Sequence, residues 1–244
     1  MTNSTSKPDI KTPFHTLCFP ELRPARFLIR ENRFRVKIQL GDRTATAHLA
    51  NPGRLKELLL PGASIWVSTA HKPERRTPYS LELVKTDKTF VSLNSQIPNK
   101  LVDYALKNHT LPQLPAYIDY RREVKLAHSR IDFLIHHQQT RTWIEVKSVT
   151  LVNKNIAAFP DAPTQRGRRH LETLISAVEK GDRRMVLFIV QRQDAMAFTP
   201  NEATDPDFGR LLREAQQAGV SIKAINCIVT TSGITMHSVI PVLL

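Results

Sequence analysis

Short apolar runs with a two-residue period, separated by turn residues, recur along most of this chain. Such alternation marks half-buried strands, in which side chains at i and i+2 share a face. Over residues 26–40 it passes through Phe27 and Ile29, then Phe34, Val36, Ile38 and Leu40. Gly41-Asp42 reads as a turn into a strand at 44–49. Asn51-Pro52-Gly53 is a second turn, and 54–60 has the look of one or two helical turns stopped by Pro61-Gly62. Segments 64–69, 79–85 and 89–93 bring the count to about five strands. The period then changes. Leu101, Val102, Ala105 and Leu106 fall at helical spacing within 97–106, and prolines at 112 and 115 end that region. Strands are predicted next at 122–126, 130–135 and 142–149. A helix over 165–179 with Leu171, Leu174, Ile175 and Val178 on its apolar face follows, closed by Gly181. A strand at 184–190, a helix at 208–217 capped by Gly219, and strands at 220–229 and 234–242 complete the order.

This order predicts an α/β (α+β) chain in three parts: a flexible leader over 1–20, a strand-rich unit over 21–98, and a mixed sheet with flanking helices over 99–244. Five short strands with a small helix suggest an OB-like barrel, although strand count alone fits an SH3-like barrel as well.

Candidate chemistry lies in two adjacent runs, Ile131-Asp132-Phe133-Leu134-Ile135 and Trp143-Ile144-Glu145-Val146-Lys147, joined by a polar stretch of hairpin length. Glu145 and Lys147 share a strand face, and Asp132 joins them if the first strand pairs alongside. Two carboxylates hold a hard divalent ion through oxygen, so Asp132 and Glu145 are the candidate metal ligands. A lysine such as Lys147 orients water or offsets charge developing on a phosphate. The plain alternative is a solvated ion pair worth little. Against it stands the cost of burying an acid among the apolar residues around Asp132.

The helix behind these strands opens with Arg166, Arg168, Arg169 and His170. Arg166 and His170 lie i,i+4 on one face, placed to meet a phosphate, and the helix N-terminus adds a positive field. Arg168 reads as cover for a polar helix face. Asp161, between Pro160 and Pro163, reads equally as a third carboxylate or as a turn acid. Glu123 either completes the acidic cluster or pairs with Arg121, Arg122 or Lys125. His136-His137 falls in the hairpin turn and is expected to be solvent-exposed.

Composition narrows the partners. The 244 residues carry a net charge of +13, and 22–98 alone holds 14 Lys/Arg against 6 Asp/Glu. An excess of this size favours a polyanion through counterion release, and nucleic acid, DNA first, is the expected partner. Arg33, Phe34, Arg35, Arg54, Lys56, His71, Lys72, Arg75 and Arg76 interleave bases with an aromatic, as a backbone-tracking surface does. Core packing is the expectation for Phe34 and Trp66 themselves. No apolar run approaches a membrane span and no basic amphipathic helix or lipidation signal appears, so no membrane partner is expected. Two cysteines give neither a disulfide framework nor zinc spacing, and the start lacks a secretory signal. A cytoplasmic location fits. Eight glycines form no Walker loop or dinucleotide fingerprint, and Ser148 has no nucleophile-elbow setting.

Several stretches together resemble one family. They are Arg33-Phe34, the run from His48 to Leu55 around Asn51-Pro52-Gly53-Arg54, Ser129-Arg130-Ile131-Asp132-Phe133, the run from Ile144 to Leu151 (I-E-V-K-S-V-T-L), and Phe159-Pro160-Asp161-Ala162-Pro163-Thr164 with Arg166-Gly167 and His170-Leu171. They are similar to the sugar fermentation stimulation protein (SfsA) family, over nearly all of the chain past the leader. The resemblance implies an OB-like N-terminal domain joined to a PD-(D/E)xK nuclease-like domain. It also implies DNA binding and a regulatory link to sugar or maltose metabolism. By that pattern Asp132 takes the acidic position of the second core strand, and Glu145 and Lys147 the E-x-K of the third. Mg2+ or Mn2+ is the expected ion, with the Val146 carbonyl a further ligand.

Overall fold

The structure, a computed structural model, describes residues 15–70, 76–177 and 181–244. The expected basic residues His71, Lys72 and Arg75, the helix positions Val178 and Glu179, and residues 1–14 of the leader lie outside the described residues.

The described end of the leader, residues 15–20, is not free of the fold. Its strand β1 (Leu17–Cys18) pairs with the last strand of the second domain, and Leu17 and Phe19 pack on that domain's core. Apolar residues in a polar, proline-bearing stretch are the signal for this; two residues are too few to show a period.

Six strands form the first domain: β2 (Leu22–Asn32), β3 (Arg35–Leu40), β4 (Arg43–His48), β5 (Ser64–Thr69), β6 (Tyr79–Lys85) and β7 (Phe90–Ser92). They are ordered β4-β3-β2-β5-β6-β7, and pairing of β4 with β6 closes the barrel. Alternation does what it predicts in β3, where Val36, Ile38 and Leu40 are buried. The stretch 26–40 is two strands of a hairpin, and Phe34 at its turn is 44% exposed and stacked on His48, not in the core. Trp66 is half-buried outside the barrel core, edge-on to Phe90 at 4.9 Å. The helix expected over 54–60 is a single turn, with Leu59 N–H bonded to Leu55 O.

α1 (Ile97–Lys107) carries Pro98 in its first turn, where no intrahelical donor is lost. The second domain continues with β8 (Asp119–Leu126), β9 (Ser129–His136), β10 (Arg141–Val149), β11 (Val152–Asn153), β12 (Ile156–Phe159), α2 (Gln165–Ser176), β13 (Arg183–Val190), β14 (Ala197–Pro200), α3 (Pro206–Gln217), β15 (Ser221–Val229) and β16 (Gly233–Ile240). Its main sheet runs β1-β16-β15-β13-β10-β9-β8, with β10, β13 and β15 parallel and the rest antiparallel. The mixed sheet with flanking helices is thus as the sequence predicts. The small sheet β11-β12-β14 has no counterpart among the predicted elements.

Each sheet face buries a separate core. On one side Phe133, Ile135, Ile144 and Val146 meet α1 and, from the barrel, Leu83 and Trp66. On the other side Ile131, Trp143 and Val149 meet α2 and α3. The barrel therefore shares a core with the second domain. Asp205, the N-cap of α3, accepts from Thr164 N–H at 2.8 Å and pairs with Arg168 at 2.7 Å, which ties the starts of α2 and α3 together.

Candidate active site at the barrel–sheet cleft

β9 and β10 pair from Arg141–His136 as far as Ile144–Phe133 and then part. Asp132 stands at the fork. Its Oδ2 accepts from the Val146 N–H at 2.8 Å, a bond the β ladder no longer supplies, and its Oδ1 accepts from Asn99 Nδ2 of α1 at 2.8 Å. Glu145 and Lys147 flank Val146 and lie on the sheet face that also buries Trp143 and Val149, opposite Ile144 and Val146. Lys147 Nζ donates to Glu145 Oε1 at 2.6 Å. Glu145 is 3% and Lys147 9% exposed, which makes this a buried pair. His170 of α2, 5% exposed, bonds the same Glu145 oxygen through Nδ1. Arg166 Nε donates to His170 Nε2 at 3.4 Å, leaving Nδ1–H as the donor to Glu145. Glu145 Oε2 is buried and has no hydrogen-bond partner among the described residues.

The two acids titrate in opposite directions. Burial, then the Glu145 charge, pushes the Asp132 carboxyl up to about 6, against the Val146 N–H, Lys147 and Asn99. Burial also works to raise Glu145, but the Lys147 charge and the His170 bond outweigh it and hold this carboxyl below its ordinary value. Two carboxylates whose environments separate them in this way are a recurrent feature of catalytic sites.

Beside them opens a cleft of about 200 Å³ between the domains, lined by Lys147 and its successors in β10, by the 159–164 loop, and by Arg33, Asn51 and Gly53 of the barrel. Arg30 shapes the barrel side. All five of its N–H groups go to main-chain oxygens: Asn32 at 3.3 Å, Gly53, Arg54 and Arg33 at 2.7 Å each, and Asn51 at 3.0 Å. Asp161 Oδ2 accepts from the Leu55 N–H at 3.3 Å, so this acid fastens the two domains.

The remaining predicted residues are placed as follows. Arg33 lines the cleft, bonds Pro52 O at 3.2 Å and stands 6.0 Å over the Phe34 ring. Arg54 is exposed and does not line the cleft. Arg35 pairs with Glu31 at 2.7 Å on the barrel surface. Arg166 and Arg169 are exposed on α2. His170, read as facing a phosphate, is instead seated inward on Glu145. Glu123 is exposed within β8 at a left-handed φ of 53°, where the register with β9 runs on unshifted. His136 and His137 are half-buried; His136 bonds Asp119, and His137 bonds Ala116 O and Thr142. Sequence reasoning missed Asn99 and Arg30. Neither has a local signal, because each acts on residues distant in the chain.

A family model described as the sugar fermentation stimulation protein RE domain matches residues 96–233, and one described as the SfsA N-terminal OB domain matches 28–93. The latter decides for the OB-like barrel over the SH3-like alternative. The chain is 45% identical over 218 residues to a sugar fermentation stimulation protein homolog of Chloroflexus aurantiacus, covering 89% of this chain and 84% of the relative. It is 44% identical over 205 residues to the homolog of Moorella thermoacetica, covering 83% and 88%. The solved structure of Pyrococcus furiosus SfsA in complex with Ca2+ superposes with a TM-score of 0.85 at 30% identity, covering 93% of this chain and 98% of that one. Sequence motifs, both domain models and the superposition agree: this chain belongs to the sugar fermentation stimulation protein (SfsA) family.

Proposed function

We propose that this chain binds DNA and hydrolyses its phosphodiester bonds at a divalent-metal-dependent site of the PD-(D/E)xK nuclease type, with Asp132, Glu145 and Lys147 as its catalytic residues. The observation that carries the reading is the state of Glu145. Lys147 and His170 hold Oε1, while Oε2 is buried with no hydrogen-bond partner among the described residues, and the Glu145 charge is felt at Asp132. A bare buried carboxylate oxygen is costly, and a hard cation satisfies it. The donors at hand are all oxygen: the carboxylates of Asp132 and Glu145 and the Val146 carbonyl. Such a set suits Mg2+ or Mn2+, and Ca2+, the ion in the Pyrococcus furiosus structure, has the same preference.

When bound, the ion supplies a Lewis acid for the phosphate and lowers the pKa of water. Asn99 and the Val146 N–H fix the Asp132 carboxylate, and His170 fixes Glu145. Lys147, lining the cleft, offsets charge that develops on the phosphoryl oxygens. Arg33 at the cleft, with the exposed Arg54, Arg35, Arg166 and Arg169 outside its lining, neutralises the backbone.

The test is incubation of the purified protein with single- and double-stranded DNA in Mn2+, Mg2+ or EDTA. Cleavage is expected with metal and not with EDTA. Glu145→Ala or Lys147→Ala is expected to abolish it while leaving DNA affinity nearly intact. Cleavage by the double variant would remove this mechanism. One observation favours a second reading, a non-catalytic DNA-binding regulatory module on the same scaffold: among the described residues no three His, Cys, Asp or Glu side chains come together to hold a metal ion. Calorimetry separates the two, since that module would take up neither ion at millimolar concentration yet still bind DNA.

A further inference from the structure

β8 is the outer edge of the seven-stranded sheet, and β9, which carries Asp132, separates it from the cleft-lining β10. Across the β8–β9 pair the register sets Lys125 directly opposite Arg130. Both are exposed, and among the described residues neither side chain has a hydrogen bond or ion pair. Like charges directly opposed on a ladder are destabilising. Edge strands often carry a lysine that discourages pairing with other chains. That accounts for Lys125, but not for an arginine facing it from the inner strand.

The two cations also take a defined face. Their neighbours Val124 and Ile131 pack on the core beneath α2 and α3, so Lys125 and Arg130 project from the opposite face, the one α1 covers. Alternation breaks at the left-handed Glu123, so Arg122 lies on this same face although Val124 does not: Asp103 of α1 meets Arg122 at 3.2 Å, and Asn99, one turn earlier, meets Asp132. The helix starts two residues before Asn99. Lys125 lies about 10 Å beyond Arg122 along the strand, past the helix start, and is exposed there together with Arg130.

We infer that the Lys125–Arg130 pair is a second phosphate-binding surface, which engages the DNA backbone on the side of Asp132 away from the barrel loop. The inference rests on the DNA-binding reading above and extends it. A backbone phosphate between the two cations removes their repulsion, and a substrate held both here and at Arg33 and Arg54 is gripped on either side of Asp132.

The experiment measures affinity for a labelled DNA duplex across a salt series in EDTA, for wild type, Lys125→Ala/Arg130→Ala and Arg33→Ala/Arg54→Ala. Each lost phosphate contact lowers the slope of log K against log salt by about 0.9, so the hairpin variant is expected to lose about 2 from the slope and at least about tenfold in affinity at low salt. Its melting temperature without DNA is expected to equal or exceed that of wild type, because the repulsion is gone. Lys125→Gln/Arg130→Gln serves where the alanine variant does not fold. A folded hairpin variant with an unchanged slope, beside a lowered slope in Arg33→Ala/Arg54→Ala, overturns this surface and leaves DNA binding in place. A wild-type protein that binds neither duplex nor single-stranded DNA overturns both.

Discussion

Gly53 of the barrel and Asp161 of the second domain approach so closely that a Cβ on the glycine would overlap the aspartate carboxylate. Side chain–free backbone at position 53 is what lets Asp161 reach the Leu55 N–H. Gly53→Ala is therefore expected to push the domains apart locally and to cost about 1–3 kcal/mol, the usual range for overpacking. Asp161→Ala removes the obstacle, so the double variant should be less destabilised than the two single effects predict. Urea unfolding of the four proteins measures the coupling. Strict additivity would mean that the contact does not govern the approach.

Lys147 and Glu145 are both buried, and this sets what happens when one is removed. Breaking a buried ion pair from one side costs about 3–5 kcal/mol, because the charge left behind is neither solvated nor paired. Lys147→Ala is expected in the lower part of that range, since His170 still holds Glu145. Lys147→Met/Glu145→Gln should recover part of the loss. A coupling energy below about 1 kcal/mol from the double-mutant cycle would instead give the pair the value of a surface contact.

The longer strands of both domains, and the pairing of β9 with β10 that brings Asp132 to the Val146 N–H between Glu145 and Lys147, are legible in the sequence, because two-residue alternation marks the strands and hairpin length assigns neighbours. Alternation fails where it crosses a turn, which is why it puts Phe34 inside. Strands β11, β12 and β14 span two to four residues and are held by pairing with distant partners, so they leave no periodic trace. His170 carries a readable signal: Gly167, His170, Leu171 and Leu174 form the buried stripe of α2, and a histidine in that stripe points inward.

Asp132 gives a pH signature. Its folded value of about 6 lies above its ordinary 3.8, so between these values the folded protein binds more protons than the unfolded one. Stability contributed by the neutral carboxyl is present at low pH and is lost as pH rises through that window. Asp132→Asn keeps an oxygen for the Val146 N–H and removes the buried charge. In EDTA the variant is expected to match wild type near pH 4 and to exceed it by about 1–3 kcal/mol at pH 7, because each tenfold change in the acidity of a group corresponds to about 1.4 kcal/mol. A variant less stable than wild type at pH 7, as measured by denaturant midpoints, would show that the charge is better satisfied than its burial implies.

Arg30 organises the loop that carries Arg33 and Gly53 to the cleft, and it does so with every donor it has. Burial pulls its guanidinium below its ordinary pKa while the Asp161 charge works the other way, so the group is held by the fold and not by solvent. A lysine has one nitrogen and three donors, and it cannot reproduce a planar fork that spans the carbonyls of Asn32, Arg33, Asn51, Gly53 and Arg54. Arg30→Lys is accordingly expected to behave as a loss and not as a conservative change. Each half-buried carbonyl left bare costs about 1 kcal/mol or more, and water reaches some of them, so a total of about 2–3 kcal/mol follows. The damage should concentrate in the loop. Amide exchange at Gly53, whose N–H donates to Asn51 Oδ1 at 2.8 Å, and at Leu55 should accelerate far more than exchange in the barrel strands. Hydrogen-exchange mass spectrometry resolves the two regions. Equal acceleration in both would show that Arg30 supports the barrel as a whole and not the approach of its loop to the second domain.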